Sequence, residues 1–344
     1  MSATLVEIDG SEGEGGGQVL RTSLALSLLT GRPFHLRNVR AGRKKPGLQP
    51  QHLMSVQAAA RIGQAHVRGD ILSSKDLVFE PGEVSAGSHR FDIGTAGATS
   101  LVLHTLYLPL ALRGKEPSHL TLVGGTHVLA SPCFHFLETT WRAHLERMGL
   151  RVDLKLVRPG FYPRGGGIVE AIIHPCSELT ALHIGNRDKV AIRGFSAVAG
   201  LPEDIAHRMA RRATQRLKAK RLSSEMTVES WAGGPGAGLG LVLETEPVPV
   251  LFFGQGERGK PADKVADEAV EQVLRYLERG EAAVDCHSAD QIVLPLALAA
   301  GSSTFHVSEV TQHLLTNIAV IHQFIDRNLT CDGKEGEPGM VRID

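Results

Sequence analysis

The sequence predicts a mixed α/β (α+β) protein made of three copies of one α/β unit, with a smaller α/β domain inserted before the third. Three observations predict it. First, an apolar helix, a glycine turn and a short strand recur. They run through TSLALSLLTGRPFHLRNV from Thr22, HTLYLPLALRGKEPSHLTLVGG from His104 and QIVLPLALAAGSSTFHVSEV from Gln291, with Gly31, Gly114 and Gly301 at the turns. Second, each is followed by a stretch with apolar residues near i, i+3, i+4: Gln51–Ile62, His135–Met148 and Thr311–Ile325. Third, residues 185–283 interrupt the series with an alternation of their own. A unit this small cannot bury its own apolar face, so the copies must pack on one another.

Taken in order, the first two helix pairs lead into strand-like runs, AHVRG and LRVDLKLV. Within 185–283, VAIRGFSAV reads as a strand. PEDIAHRMARRATQRLKAK reads as a helix with Ile205, Met209, Ala213 and Leu217 on one stripe. MTVESW and GLVLETE read as strands, joined by GGPGAGLG as a flexible turn from Gly233. PADKVADEAVEQVLRYLERG reads as a helix, with Pro261 at its start and Gly280 past its end. The expected organisation is a main domain of residues 1–184 and 284–344 and an inserted β-α-β-β-α domain of residues 185–283.

Composition narrows the function classes. A chain of 344 residues, 42% hydrophobic and 22% charged, has the balance of a globular protein rather than a disordered one or a coiled coil. Lys+Arg and Asp+Glu are both 37, so adhesion to polyanions by bulk charge is excluded and any nucleic-acid affinity must be local. Cys133, Cys176, Cys286 and Cys331 form no CxxC pair and no zinc-ligand spacing, which points to free thiols in a reducing compartment. MSATLVEIDGSEGEGGG lacks the basic start and apolar segment of a signal peptide. Apolar runs such as IVLPLALAAG are about half the ~20 residues a membrane span needs. The expectation is a soluble cytoplasmic protein with no membrane contact.

Four clusters could carry chemistry. GSEGEGGGQVLR, Gly10 to Arg21, offers backbone N–H groups and a helix start to an anion, without a P-loop lysine and without the GxGxxG spacing; a plain glycine turn remains open. From Gly15 to Gly69 there is no Asp or Glu, while Arg21, Arg32, Arg37, Arg40, Arg43, Lys44, Lys45, Arg61 and Arg68 lie there. That one-sign stretch favours phosphate recognition, because guanidinium forks match phosphate oxygens. RPGFYPRGGG, Arg158 to Gly167, is a stiff turn next to backbone able to approach something closely, or a structural turn. SEVTQHLLTN, Ser308 to Asn317, opens a helix on which His313 and Asn317 lie one turn apart, away from Leu314, Ile318, Ile321 and Ile325. To this fourth cluster belongs DCHSADQ, Asp285 to Gln291, which opens the same copy with residues able to hold a metal, a ribose or a base edge.

Together and in this order the motifs resemble the RNA 3′-terminal phosphate cyclases. The resemblance spans essentially the whole chain through EGEGGGQVLRTSLALS, RAGRKKPGLQPQHL, GSHRFDIGTAGATS, GGTHV, RPGFYPRGGG, SADQIVLPLALAAG and SEVTQHLLTNI. It implies three repeats of a two-helix, four-stranded unit with a smaller insert, related to the enolpyruvate transferases. It also implies ATP as co-substrate, Mg2+ or Mn2+, and RNA with a 3′-phosphate end as partner. The implied reaction makes a 2′,3′-cyclic phosphate through a covalent histidine–AMP and an RNA–AMP intermediate.

By motif, the resemblance makes His313 of TQHLLTN the nucleophile and Glu14 of EGEGGGQ the metal ligand. It makes Arg21, Arg40 and Arg43 phosphate-binding catalytic residues, with Gln51 and His52 at further positions of that pocket. The stretch His287, Ser288, Ala289, Asp290 and Gln291, with His104, would contact the nucleotide. The chain departs from the family pattern at His104, where glutamine is common, and at His287, where an aromatic is common. Two other readings stand beside this one: a catalytically inactive cyclase-like ribosomal RNA processing factor, and an enolpyruvate-type transferase. The presence of His313, Arg21, Arg40 and Arg43 speaks against the first, and three copies with one insert, rather than two similar halves, against the second. The oligomeric state is left open, a homodimer included.

Overall fold

The structure, a computed structural model, describes residues 4–188 and 190–344. The first unit runs β1 (Val6–Asp9), α1 (Gly17–Thr30), β2 (Phe34–Arg37), α2 (Pro50–Ile62), β3 (His66–Arg68), β4 (Leu77–Glu80). The second runs β5 (Ser88–Asp92), α3 (Thr99–Arg113), β6 (Ser118–Gly124), α4 (Phe134–Phe136), a π-turn (Leu137–Trp141), α5 (Arg142–Arg147), β7 (Val152–Arg158), β8 (Gly167–Ile173). The third opens with β9 (His183–Ile184). There follow β10 (Ala191–Ala199), α6 (Asp204–Ala219), β11 (Ser224–Trp231), β12 (Gly236–Glu244), β13 (Val250–Gln255) and α7 (Ala262–Glu278). The third unit then resumes with α8 (Cys286–Leu298), β14 (Ser303–Val307), α9 (Gln312–Phe324), β15 (Leu329–Asp332) and β16 (Gly339–Ile343).

The three units share one wiring. Their sheets are ordered β1-β2-β4-β3, β5-β6-β8-β7 and β9-β14-β16-β15. In each the first two strands are parallel and the later pairs antiparallel. A parallel pair needs a crossover, and the first helix of each unit supplies it. The chain is therefore mixed α/β in class, as expected. One hydrophobic core runs through all three units, with Phe34, Phe79, Trp141 and Phe305 fully buried. Helix α1 packs on α3 and α9, so the units meet through their helices.

The fourth sheet, β11-β10-β12-β13, carries α6 and α7 and has a core of its own around Met209, Leu239, Val250 and Val270. Here the sequence reading needs correction. The order is β-α-β-β-β-α, because Val250–Gln255 forms a strand that pairs with β12. VLFFGQ is a short apolar run behind Pro247 and Pro249, with no alternation to mark it as a strand. GGPGAGLG is not one flexible turn either: from Gly236 on it is strand β12. Side chains at Gly236, Gly238 and Gly240 would overlap the rings of Phe161, Phe253 and Phe195, so close ring packing, not flexibility, explains these glycines. Helix α1 likewise begins at Gly17 rather than Thr22, since Gly17 is buried against His52 and Arg21, a tertiary contact that overrides poor helix propensity. Among the described residues no helix is long and apolar enough to cross a membrane.

Candidate active site

The centre of the site is a contact between the first and third units. Gly13, at φ +62°, lies so close to Thr316 that any side chain there would overlap its hydroxyl. The glycine loop thus lies directly on α9, and the Glu14 N–H donates to Thr316 Oγ1 at 3.1 Å. This places the Glu14 carboxylate, 5% exposed, 2.9 Å from His313 Nδ1 through its Oε2. The same oxygen meets Arg43 Nη2 at 2.5 Å, while Oε1 accepts from the Gln18 N–H at 3.0 Å. Burial alone would raise the Glu14 pKa. The hydrogen bond and charge of His313, then Gln18 and Arg43, more than offset this and hold it at about 2. A carboxylate in that range only accepts hydrogen bonds, so Nδ1 of His313 carries the proton, and in the neutral imidazole Nε2 is the nitrogen with the free lone pair. The Glu14 hydrogen bond raises the His313 pKa above its ordinary value, against the opposing effect of burial.

Helix α9 is held in place by its cap. Thr311 Oγ1 accepts from the Leu314 N–H at 3.0 Å and donates to Asp290 Oδ1 at 2.6 Å. Asp290 is buried and its pKa is pushed up by that burial to about 6. Asn317, one turn after His313 and also buried, donates to the Asp290 carbonyl at 2.9 Å. Its Oδ1 receives Gln18 Nε2 at 2.9 Å and Thr22 Oγ1 at 2.7 Å. Gln18 in turn accepts Arg21 Nη2 at 2.6 Å. One polar network therefore ties α1, α8 and α9 together around His313.

The network faces a cleft of about 330 Å³. Arg21, His287, Asp290, Gln291 and His313 line one side. Leu129, Pro132 and Phe136 come from the second unit, and Phe253, Gln255 and Gln272 from the fourth sheet and its helix. That size, with an apolar wall facing a few polar groups, is typical of small-molecule sites. Arg21 loses proton affinity through desolvation, its pKa falling to about 10, and so stays cationic at neutral pH.

The structure does not bring every expected residue to the cleft. Arg40 donates Nη1 to the carbonyls of Lys45 at 2.6 Å and Gly47 at 2.9 Å, clasping its own loop. Gln51 Oε1 accepts from the Ala98 N–H at 3.0 Å and so joins the first unit to the second. His52 is buried beside Gly17, and its pKa drops to about 3, from burial first and then from Arg21. Ser288 and Ala289 are buried, and the Ser288 hydroxyl donates to Asp285 inside the cap of α8. His104 is buried against Trp141 and Tyr107, where Nε2 has no hydrogen-bond partner among the described residues. Burial depresses its pKa to about 3, and the cavity it lines holds only about 20 Å³.

Glu14 does not fit a metal ligand in this arrangement. Both its oxygens are taken by protein donors, one of them a guanidinium. Among the described residues no three His, Cys, Asp or Glu side chains come together to hold a cation. Sequence reasoning missed Gln18 as the link between Arg21 and Asn317, and missed the cleft wall from Leu129 to Gln272. Gln18 had a signal, being the polar residue that opens α1 after the glycines. The wall had none, because ordinary apolar residues become a wall only once four elements meet.

Comparison with known proteins gives the family. The family model described as RNA 3′-terminal phosphate cyclase matches residues 12–331. A curated relative of that name from Ralstonia nicotianae is 44% identical over 99% of this chain and 97% of its own. Others of the same name, from Caldivirga maquilingensis and Salmonella typhimurium, are 41% and 39% identical, over 94% and 97% of this chain and the same shares of their own. Among solved structures, the enolpyruvyl transferase NikO from Streptomyces tendae aligns with 99% of this chain and 82% of its own, at 11% identity and a TM-score of 0.27, too low to argue from. With a family match over most of its length and relatives at this identity, the chain belongs to the RNA 3′-terminal phosphate cyclase family.

Proposed function

We propose that this chain is an ATP-dependent RNA 3′-terminal phosphate cyclase in which His313 is the covalent nucleophile. The observation that carries the reading is the Nδ1–Glu14 contact, which leaves Nε2 of a half-buried histidine free at the rim of a nucleotide-sized cleft. In the first step Nε2 attacks the α-phosphorus of ATP, the N–P bond forms, and the bond to pyrophosphate breaks with its electron pair on the leaving oxygen. In the second, a 3′-phosphate oxygen of the RNA attacks the same phosphorus and the P–N electron pair returns to Nε2. In the third, the neighbouring 2′-hydroxyl, giving up its proton, attacks the 3′-phosphorus and expels AMP. The products are a 2′,3′-cyclic end, AMP and pyrophosphate.

The other residues take roles around those steps. Glu14 orients the imidazole and balances the charge it gains as it becomes phosphorylated. Arg21 and Arg43 neutralise phosphate oxygens, and Arg40 shapes the loop that carries Arg43. His287, Asp290 and Gln291, facing Leu129, Pro132 and Phe253, hold the nucleoside. Mg2+ or Mn2+ would supply charge to the phosphates; with Glu14 engaged as it is, no step is assigned to the ion. The core under α6 and α7 favours 185–283 as a second domain beside residues 1–184 with 284–344, with Val242 and Leu251 packing into the first core. The test is incubation with α-labelled ATP: label should appear on a peptide containing His313 and pass to RNA that ends in a 3′-phosphate. An RNA blocked by 2′-O-methyl should stop as the adenylated end.

A further inference from the structure

The RPGFYPRGGG turn is left over by this account, and the structure divides its residues into two kinds. The backbones of Gly160 and Gly167 approach each other so closely that neither tolerates a side chain. Gly165 presses on Thr95 and Ala96, and the Arg158 guanidinium donates to the Gly166 carbonyl at 2.9 Å. Phe161 is buried, stacked on His127 with ring centroids 5.4 Å apart. These residues make a rigid stem. Tyr162 and Arg164 then stand on it with nothing packed over them. Tyr162 is 79% exposed, the largest exposure among the large hydrophobic side chains of the described residues, and Arg164 is exposed too.

Position and charge say what these two side chains meet. The stem is bonded to Thr126, whose N–H donates to the Gly160 carbonyl at 2.9 Å, and Phe161 bridges to His127. The next residues, Val128 to Cys133, are the wall of the active-site cleft, and Leu129 on that wall is 56% exposed. The turn therefore continues the rim of the cleft. The segments that meet here, 93–104, 124–137, 156–169 and 231–236, contain no Asp or Glu, and Glu229 behind the last of them is engaged by Trp231 Nε1 at 2.8 Å. An exposed ring with a cation and no acid beside it suits single-stranded nucleic acid, where the ring stacks a base and the guanidinium meets a phosphate.

We propose that the Arg158–Gly167 turn is a landing platform for the RNA strand, with Tyr162 stacking a base upstream of the terminal nucleotide and Arg164 contacting the backbone. This rests on RNA being the substrate. The test is binding of a fluorescent ten-nucleotide RNA 3′-phosphate to the full chain, measured by anisotropy at several salt concentrations. Tyr162→Ala should raise Kd about ten-fold and Tyr162→Phe should stay within two-fold, since stacking needs the ring and not the hydroxyl. Arg164→Gln should lower the salt slope by about 0.7, the value for one contact to a single strand. Affinities of Tyr162→Ala and Arg164→Gln within two-fold of wild type would overturn the platform. So would a change in the oligomeric state of these variants with RNA binding intact, which would make the turn a protein contact. If binding weakens as expected while the wild type forms no cyclic ends, the platform stands and the proposed reaction falls. If ends are cyclised and the variants bind normally, the reverse holds.

Discussion

The second and third units put a histidine at the same place and give it opposite characters. His135 is the second residue of α4 and His313 the second of α9, and each helix follows the second strand of its unit. Around His135 stand the rings of Phe195 at 4.6 Å, Trp231 at 5.0 Å and His127 at 5.1 Å. Burial drives its pKa down to about 4, and its Nδ1 is engaged by His127 Nε2 at 2.9 Å. Around His313 stand a carboxylate and a cleft, and its pKa goes up. One topological position is thus packed among rings in one copy and is the proposed nucleophile in another. What separates them is the partner delivered from outside the unit: the fourth sheet brings rings to His135, and the glycine loop of the first unit brings Glu14 to His313.

The comparison breaks most sharply by removing each histidine. In His313→Asn, labelling by ATP should fall by on the order of 10⁴-fold or more, as expected when a covalent nucleophile is lost. The wild-type label should be cleaved by mild acid and survive neutral hydroxylamine, because the proposed linkage is a P–N bond and not an acyl phosphate. His135→Asn should still label. Label on His313→Asn, or none on folded His135→Asn, would dissolve the distinction. A smaller effect follows from changing the partner. Glu14→Gln keeps an acceptor for Nδ1–H and removes the charge, so labelling should fall about ten-fold at its plateau. The wild-type rate should climb with pH through a value above 6.5, as the imidazole becomes neutral, and in Glu14→Gln that limb should move to lower pH. Titration with Mg2+ or Mn2+ settles the remaining role: an unchanged half-saturation makes Glu14 a positioning residue, and a rightward shift makes it a metal contact. Arg43→Ala should cost more activity than Arg40→Ala at equal fold stability, since Arg43 touches Glu14 whereas Arg40 holds carbonyls.

How much of this was legible in the sequence depends on the range of the forces involved. The repeats were legible because a helix ending at a glycine is a local event: Gly31, at φ +72°, closes α1 where the pattern puts it. The pairing of His313 with Asn317 on one face was legible from helix period alone. The partners were not. Glu14 and Thr316 are brought together only by packing of the first unit on the third, and nothing local says that this glutamate will hold an imidazole. His104 shows the same limit: apolar neighbours in sequence gave no sign that it is buried beside Arg21 and lines a small cavity rather than the cleft. The strand VLFFGQ was missed for the opposite reason, since it is buried on both faces and shows no alternation.

The smallest predicted effect concerns stability, and there the two histidines should differ in sign. His135 has a folded pKa of about 4 against 6.5 when exposed, so the unfolded chain binds the proton more tightly. Its contribution is complete above pH 6.5 and is lost as pH falls from there toward 4. His313 has a raised folded pKa, so its contribution is present below 6.5 and is lost as pH rises through the folded value. Replacing His135 by phenylalanine keeps a flat ring among Phe195 and Trp231 and removes the titration, at the cost of leaving His127 Nε2 without its partner. That loss should lower stability at pH 7.5 by about 1–2 kcal/mol. Between pH 7.5 and 5, however, the variant should lose about 1–2 kcal/mol less than the wild type, because one buried imidazole no longer has to be kept neutral. Urea midpoints of both proteins at the two pH values measure this directly. Equal losses would mean that His135 is solvated in the native state, and the contrast between the two units would then reduce to the presence or absence of Glu14.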